Sequence, residues 1–208
     1  MISYCAIIGD INRSRDLPHR ARVQRAFQRA IEKINSEFRD EIASNFVLTI
    51  GDEFQGLLLS AKEGYRLVRR FAELMEPVDF AFGLGIGPLS TPLKKEAALG
   101  MDGEAFHRAR AALAAAKREK RRLVLDFDHA SLPLANALLA LMERDWARLT
   151  PRQKEILRLM DKYRNQSLVA RKLRISQPAV SKSVSSALAG RLTEAEEALG
   201  GFLSSVIT

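Results

Sequence analysis

The sequence predicts an α+β fold in two parts, a sheet-and-helix domain followed by an all-α domain, and three observations predict it. Through residue 127, apolar runs of strand character alternate with segments whose apolar residues recur at threes and fours, in the order β-α-β-β-α-β-α-β. Two of those runs, 46–50 and 54–59, close on the turn pair Gly51-Asp52 and read as a β-hairpin. From Thr150 onward the strand signals stop and short capped helices take over. A β-α-β-β-α-β core makes a mostly antiparallel sheet with helices on one face, the ferredoxin-like or polymerase-palm arrangement.

The composition is that of a folded chain. Of 208 residues, 47% are hydrophobic and 28% charged, which argues against disorder. Thirty-three Lys and Arg against 25 Asp and Glu leave a net charge of +8, so nucleic acid, nucleotides or acidic surfaces are the natural partners. The single cysteine, Cys5, excludes an intrachain disulfide and suits a reducing compartment. The apolar run 2–8 is too short for a membrane span and lacks a basic leader, so a cytoplasmic protein away from membranes is expected.

The first strand ends in the acidic sequence Ile7-Ile8-Gly9-Asp10-Ile11 and runs into the polar loop Asn12-Arg13-Ser14-Arg15. Val23, Phe27, Ile31, Ile34 and Phe38 then mark an amphipathic helix laid on a sheet. The hairpin follows with Asp52 and Glu53 at its tip, and Tyr65, Val68, Phe71, Ala72 and Met75 carry a second helix that Pro77 stops. In 78–87, large apolar residues alternate with small ones, as in a strand closely approached by another backbone or a ligand. A polar connection over 91–99, a helix from Glu104 to about Lys117 and a strand over 122–127 complete the first domain, residues 1–128. Residues 129–149 form a helical connector with Leu134, Leu138, Leu141, Met142 and Trp146 on one stripe, expected to pack between domains.

If strands one and two are neighbours in the sheet, Asp10 meets Asp52. Carboxylates so placed repel at neutral pH unless a cation lies between them, and hard oxygen ligands suit Mg²⁺ shared with a substrate phosphate.

In the last domain, residues 150–208, Thr150 caps a helix that opens at Pro151 and runs to about Tyr163. A short helix through Ala170 is followed by a turn, and Ser176 caps a second helix with Pro178 in its first turn. Val169, Leu173, Ile175, Val180 and Val184 can bury together, which leaves Ser176, Gln177, Ser181, Lys182 and Ser185 to meet double-stranded DNA in a major groove. This segment holds ten Lys and Arg against five Asp and Glu, which puts the basicity where DNA binding needs it. Thr193 with Glu196 reads as a capping box opening a last helix. The run Ala170-x-x-Leu173-x-Ile175-Ser176-x-x-x-Val180-Ser181 resembles the helix-turn-helix of bacterial regulators. Arg174 stands where that family commonly has glycine, so the turn must hold a side chain in a left-handed or bridging conformation.

Three pieces of the first domain resemble the palm-type nucleotidyl cyclases and GGDEF diguanylate cyclases: Ile8-Gly9-Asp10-Ile11 their first metal-binding strand, Ile50-Gly51-Asp52-Glu53-Phe54 their hairpin, and Glu104-Ala105-Phe106-His107-Arg108-Ala109-Arg110 their last core helix. Gly83-Leu84-Gly85-Ile86-Gly87 resembles their glycine-bearing strand. With its Gly-Asp-Ile start, Gly-Asp-Glu-Phe-Gln-Gly centre, helix from Gly100 to Arg110 and terminal helix-turn-helix, the chain is identified as resembling the SatD family over nearly its full length. The cyclase resemblance implies Mg²⁺ (or Mn²⁺) on Asp10, Asp52 and the Ile11 carbonyl, with Arg110 and the loop Asn12-Arg13-Ser14-Arg15 on phosphates. Ile50 replaces the first glycine of GGDEF and the guanine-contact segment has no counterpart, which detaches the site from diguanylate synthesis.

The expected function is a nucleotide-responsive DNA-binding regulator, acting as a homodimer, whose palm-like domain takes a Mg²⁺-nucleotide as signal. The alternative is an active nucleotidyl cyclase or oligonucleotide synthase with Asp10, Asp52 and Glu53 catalytic in a two-metal mechanism. His107 is expected as a packed surface residue.

Overall fold

The computed structural model describes residues 2–12, 14, 20–49 and 51–206, and among them five strands and eight helices make a mixed α/β protein. In chain order these are β1 (Tyr4–Ile11), α1 (Arg20–Glu37), β2 (Ile42–Leu48), β3 (Glu53–Leu58), α2 (Gly64–Met75), β4 (Phe80–Gly87), α3 (Glu104–Glu119), β5 (Leu123–Asp126), α4 (Leu132–Arg148), α5 (Pro151–Tyr163), α6 (Gln166–Leu173), α7 (Gln177–Val184) and α8 (Ala187–Val206). The element order expected from periodicity is present. Two compact units divide the chain, Met1–Leu139 with Leu199–Thr208, and Ala140–Ala198. No helix of the described residues is long and apolar enough to cross a membrane.

The sheet of the first unit runs β2-β3-β1-β4-β5, antiparallel throughout except for the parallel pair β4–β5. β1 and β2 are therefore not neighbours, the arrangement on which the expected meeting of Asp10 and Asp52 depends. The returning hairpin strand β3 lies between them, so Asp10 stands opposite Glu53 and the chain reverses at Asp52.

Helices cover both faces of the sheet, correcting the expectation of one. On one face Phe27 of α1 and Phe71 of α2 meet Phe54, Phe80 and Phe82 of the sheet, with the Phe54 and Phe71 rings stacked at 4.3 Å. On the other, α3 lies against β4 because Gly83 and Gly85 present no side chain: a Cβ on Gly85 would fall well inside van der Waals contact with the Ala109 nitrogen and the Ala105 carbonyl. Ala105, Ala109, Ala112 and Ala116 of the helix are buried there with Ala6 and Ile8 of β1. The polar connection before α3 adds to the edge of β2, where Asn45 N–H donates to the Lys95 carbonyl at 3.1 Å and Ala98 N–H to that of Asn45 at 3.0 Å.

In the second unit, Thr150 and Gln153 form a reciprocal capping box at α5, with Pro151 in its first turn. Asn165 caps α6 and Ser176 caps α7 through bonds to Leu168 N–H (2.9 Å) and Ala179 N–H (3.3 Å). Ile156, Val169, Ala170 and Val180 form the core of these three helices, with Leu173, Ile175 and Val184 against it. Arg174 adopts φ +53°, the left-handed conformation its place in the turn demands.

Two readings of helices are corrected. α8 begins at Ala187, not after Thr193, because Ser186 Oγ accepts from Ala189 N–H at 3.4 Å; Thr193 is a helix-interior residue whose hydroxyl donates to the Ala189 carbonyl. In α4 the buried stripe is Ala135, Leu139, Met142 and Trp146, while Leu134 and Leu141 are exposed. Residues at this spacing share a face of a 3.6-residue helix, and Leu134 and Leu141 lie one position round from it.

Candidate functional site

The hairpin tip is built by local geometry. Thr49 N–H donates to the Glu53 carbonyl at 2.9 Å, and Gly51 turns the chain at φ +78°, where a side chain is disfavoured. Ile11 N–H donates to the Asp52 carbonyl at 3.3 Å, which ties the end of β1 to the turn. Strand alternation puts Asp10 and Glu53 on the same face as Ala6, Ile8 and Leu57, the face that α3 covers. There Arg110 binds Glu53 at 2.5 Å, and Lys117 Nζ binds Asp10 Oδ2. Arg110 and Lys117 are seven residues apart, so they share one side of α3. The result is an acidic strand end clasped by two cations from one helix.

Asp10 is the strained member. Its Oδ1 is buried without a hydrogen-bond partner. Burial pushes its carboxyl above the ordinary aspartate range, Lys117 pulls it back, and the Asp52 and Glu53 carboxylates push it further up. A carboxyl whose pKa is raised on folding contributes stability that is fully present below its unfolded pKa and is lost as pH rises through the folded one. Ionised Asp10 thus costs stability at neutral pH. Asp10→Asn is expected to melt higher than the parent at neutral pH and to lose that advantage in acid; melting curves across that range check it, and a variant that melts lower at neutral pH contradicts it.

Beside this cluster a cleft opens between the end of β1, the start of α1 and the hairpin turn. Ser14, Arg20, Gln24 and Asp52 rim it over Ile11, Val23 and Phe27. Asn12, also expected on phosphate, is engaged by Asp79, donating to its carbonyl at 2.9 Å from the main chain and to its carboxylate at 2.8 Å from the side chain. Arg13 and Arg15 lie outside the described residues. His107 is on the surface, its Nε2 2.7 Å from the Asp102 carboxylate. Lys117, Arg20 and Gln24 belong to no motif that the sequence displays; the seven-residue spacing from Arg110 is the one signal that points to Lys117.

On α7, Gln177 and Lys182 are exposed, as are Ser176 before it and Ser185 after it, whereas Ser181 is half-buried and its carbonyl accepts from the Ser185 hydroxyl at 2.7 Å. Gln177 Nε2 donates to Gln166 Oε1 at 2.6 Å, linking the starts of α6 and α7.

Among the described residues, no three or more His, Cys, Asp and Glu side chains are grouped to hold a metal on their own. Mg²⁺ needs less, one or two carboxylates with water and substrate phosphate completing its shell. The unpartnered, buried Oδ1 of Asp10 next to Asp52 is an oxygen donor of that kind, so the residues present fit such an ion.

The model of the SatD family matches residues 4–192. No curated protein matches the chain. Among solved structures, one of a bacterial light-regulated adenylyl cyclase aligns at 15% identity with a TM-score of 0.44, covering 60% of this chain and 75% of that one. A second such structure aligns at 15% identity with a TM-score of 0.43, over 60% of this chain and 42% of that one.

Proposed function

The chain belongs to the SatD family, and on that premise we propose that it is a cytoplasmic DNA-binding transcriptional regulator whose palm-like first unit binds a Mg²⁺-nucleotide as its signal. One observation carries the nucleotide half: Asp10, Asp52 and Glu53 gather at one sheet end, cations on α3 reach the same place, and a cleft rimmed by Ser14 and Arg20 opens beside it. Carboxylates alone would repel a polyphosphate and cations alone would not need them; both together suit phosphate carried with a divalent ion. Asp10, Asp52 and the Ile11 carbonyl would hold the ion, which would supply positive charge to the phosphates. Arg110 and Lys117 would exchange their carboxylate partners for phosphate.

Thermal stabilisation by each nucleoside triphosphate, with and without Mg²⁺, tests this. A metal-dependent rise is expected for the parent and its loss for Asp52→Asn; equal rises in both remove the metal site. The position of Glu53 opposite Asp10 keeps a second reading in play, turnover of the nucleotide by a cyclase or oligonucleotide synthase. Product from any labelled nucleotide would decide for that reading.

The DNA half is supported by α6 and α7, a helix pair joined by the left-handed Arg174 turn with the polar side chains of α7 outward. Such a helix fits a major groove, and a homodimer would read two half-sites. Gln177→Ala with Lys182→Ala is expected to cost about 1–3 kcal/mol for each base that the helix no longer reads on a specific duplex. A parent protein that retards no duplex at low salt overturns this half.

A further inference from the structure

We propose that the outward face of α1 is a second contact with DNA, taking the phosphate backbone of the duplex through Arg22, Arg25 and Arg29; this rests on the DNA-binding reading above. Residues 1–149 carry 23 Lys and Arg against 20 Asp and Glu, whereas the stretch from Arg20 to Ile31 holds four arginines and no acid. The positive surplus of this part of the chain is thus concentrated rather than spread. The apolar face of α1 is buried at Phe27, Ala30, Ile31 and Ile34. Arg22, Arg25 and Arg29, at spacings of three and four, line the opposite face and are exposed.

Fold stability does not account for them. Among the described residues none of the three has an ion-pair partner, in contrast to the other basic run, where Lys117 binds Asp10, Arg118 binds Glu119, and Arg121 donates to the Asn136 carbonyl. The place of Arg22 is unfavourable as well, because a cation in the first turn of a helix opposes its dipole and no acid stands in that turn to offset it. An anion laid along the face removes that penalty.

The chemistry of the face selects among anions. The residues between the arginines there include Ala21 and Ala26, with no aromatic to stack on a base and no large exposed apolar group to enter a lipid surface. Guanidinium groups bind phosphate oxygens in pairs. Seven residues of helix place Arg22 and Arg29 about 10 Å apart, a row of roughly three phosphates at about 3.4 Å per strand along duplex DNA. The contact is therefore with the backbone and is indifferent to sequence.

Fluorescence anisotropy of the full chain on a random-sequence duplex, titrated over a range of NaCl, tests the proposal. Replacing Arg22, Arg25 and Arg29 together by Ala is expected to make the slope of log affinity on log salt shallower by about 0.9 for each phosphate left unneutralised, between two and three in all. The Lys triple variant, which keeps the charge, is expected to retain the slope. Helicity by circular dichroism guards against unfolding, and the exposed positions make that outcome unexpected. A parental slope in the Ala variant, while Gln177→Ala with Lys182→Ala still weakens binding, overturns the α1 contact alone. A parent with no duplex affinity at low salt overturns the DNA reading itself. Binding of α1 to phosphatidylserine vesicles, abolished in the Ala variant while the duplex slope is unchanged, also overturns it in favour of a membrane surface.

Discussion

Phe54→Ala is expected to cost about 3–5 kcal/mol of folding stability, the usual loss for emptying a fully buried phenylalanine site. The ring has no exposed surface and touches five others, stacking on Phe71 at 4.3 Å, meeting Phe27, Phe80 and Phe82 edge-on at 5.6, 6.5 and 6.0 Å, and lying tilted against Phe46 at 6.0 Å. Those partners come from α1, β2, α2 and β4, so no single element can move to fill the space. Against a total stability of about 5–15 kcal/mol, the variant stands close to unfolding. Urea titration checks it through a fall in midpoint at unchanged slope. The residue also follows Asp52 and Glu53, so its anchoring sets where the acidic tip sits; Phe54→Leu, which conserves most of the volume, is expected to cost under about 1.5 kcal/mol and to keep nucleotide stabilisation. A loss below about 1 kcal/mol for Phe54→Ala would mean the ring is not the keystone of this face.

Gly85→Ala is expected to lose about 3 kcal/mol, the upper part of the overpacking range, because the added methyl meets main chain and not the end of a flexible side chain. The Ala109 nitrogen and Ala105 carbonyl cannot turn aside; α3 must lift from β4 as a body. Arg110 and Lys117 ride on that helix, so their bonds to Glu53 and Asp10 are expected to weaken together. The paired readout is a lower denaturation midpoint and reduced nucleotide stabilisation from one methyl group that touches neither cation. Gly201→Ala is the control. It lies in α8 with open space around its Cβ, and the better helix propensity of alanine is expected to raise stability by about 0.5–1 kcal/mol. If both variants behave alike, the close approach of α3 to β4 is not what the glycine secures.

Much of the fold is legible in the sequence because it is local. The hairpin turn at Gly51 follows from a residue that tolerates positive φ between two strand-like runs. The caps at Thr150 and Ser176 are decided within three residues, whereas the turn at Arg174 is expected, as left-handed or bridging, only from the resemblance that puts a glycine there, and the structure takes the left-handed form. The alternating small residues of 78–87 point to a strand that another backbone approaches, and α3 is that backbone. Thr193 shows the limit of the same reasoning: its capping pattern with Glu196 is genuine as a pattern, but the helix has already started at Ala187 and carries it inside.

By itself, then, the sequence determined the order of the elements, the acidic tip, the apolar faces of α1 and α2 and the three-helix core around Val169 and Val180, since periodicity and caps act over a few residues. Only the tertiary structure decided that β3 separates β1 from β2, that α3 takes the opposite face of the sheet, and that Lys117 reaches Asp10 across 107 positions of chain. Those choices depend on shape and charge meeting at long range. The missing Cβ atoms of Gly83 and Gly85 matter only once a helix of alanines arrives to fill their space, and the cost of burying Asp10 appears only when the sheet closes around it.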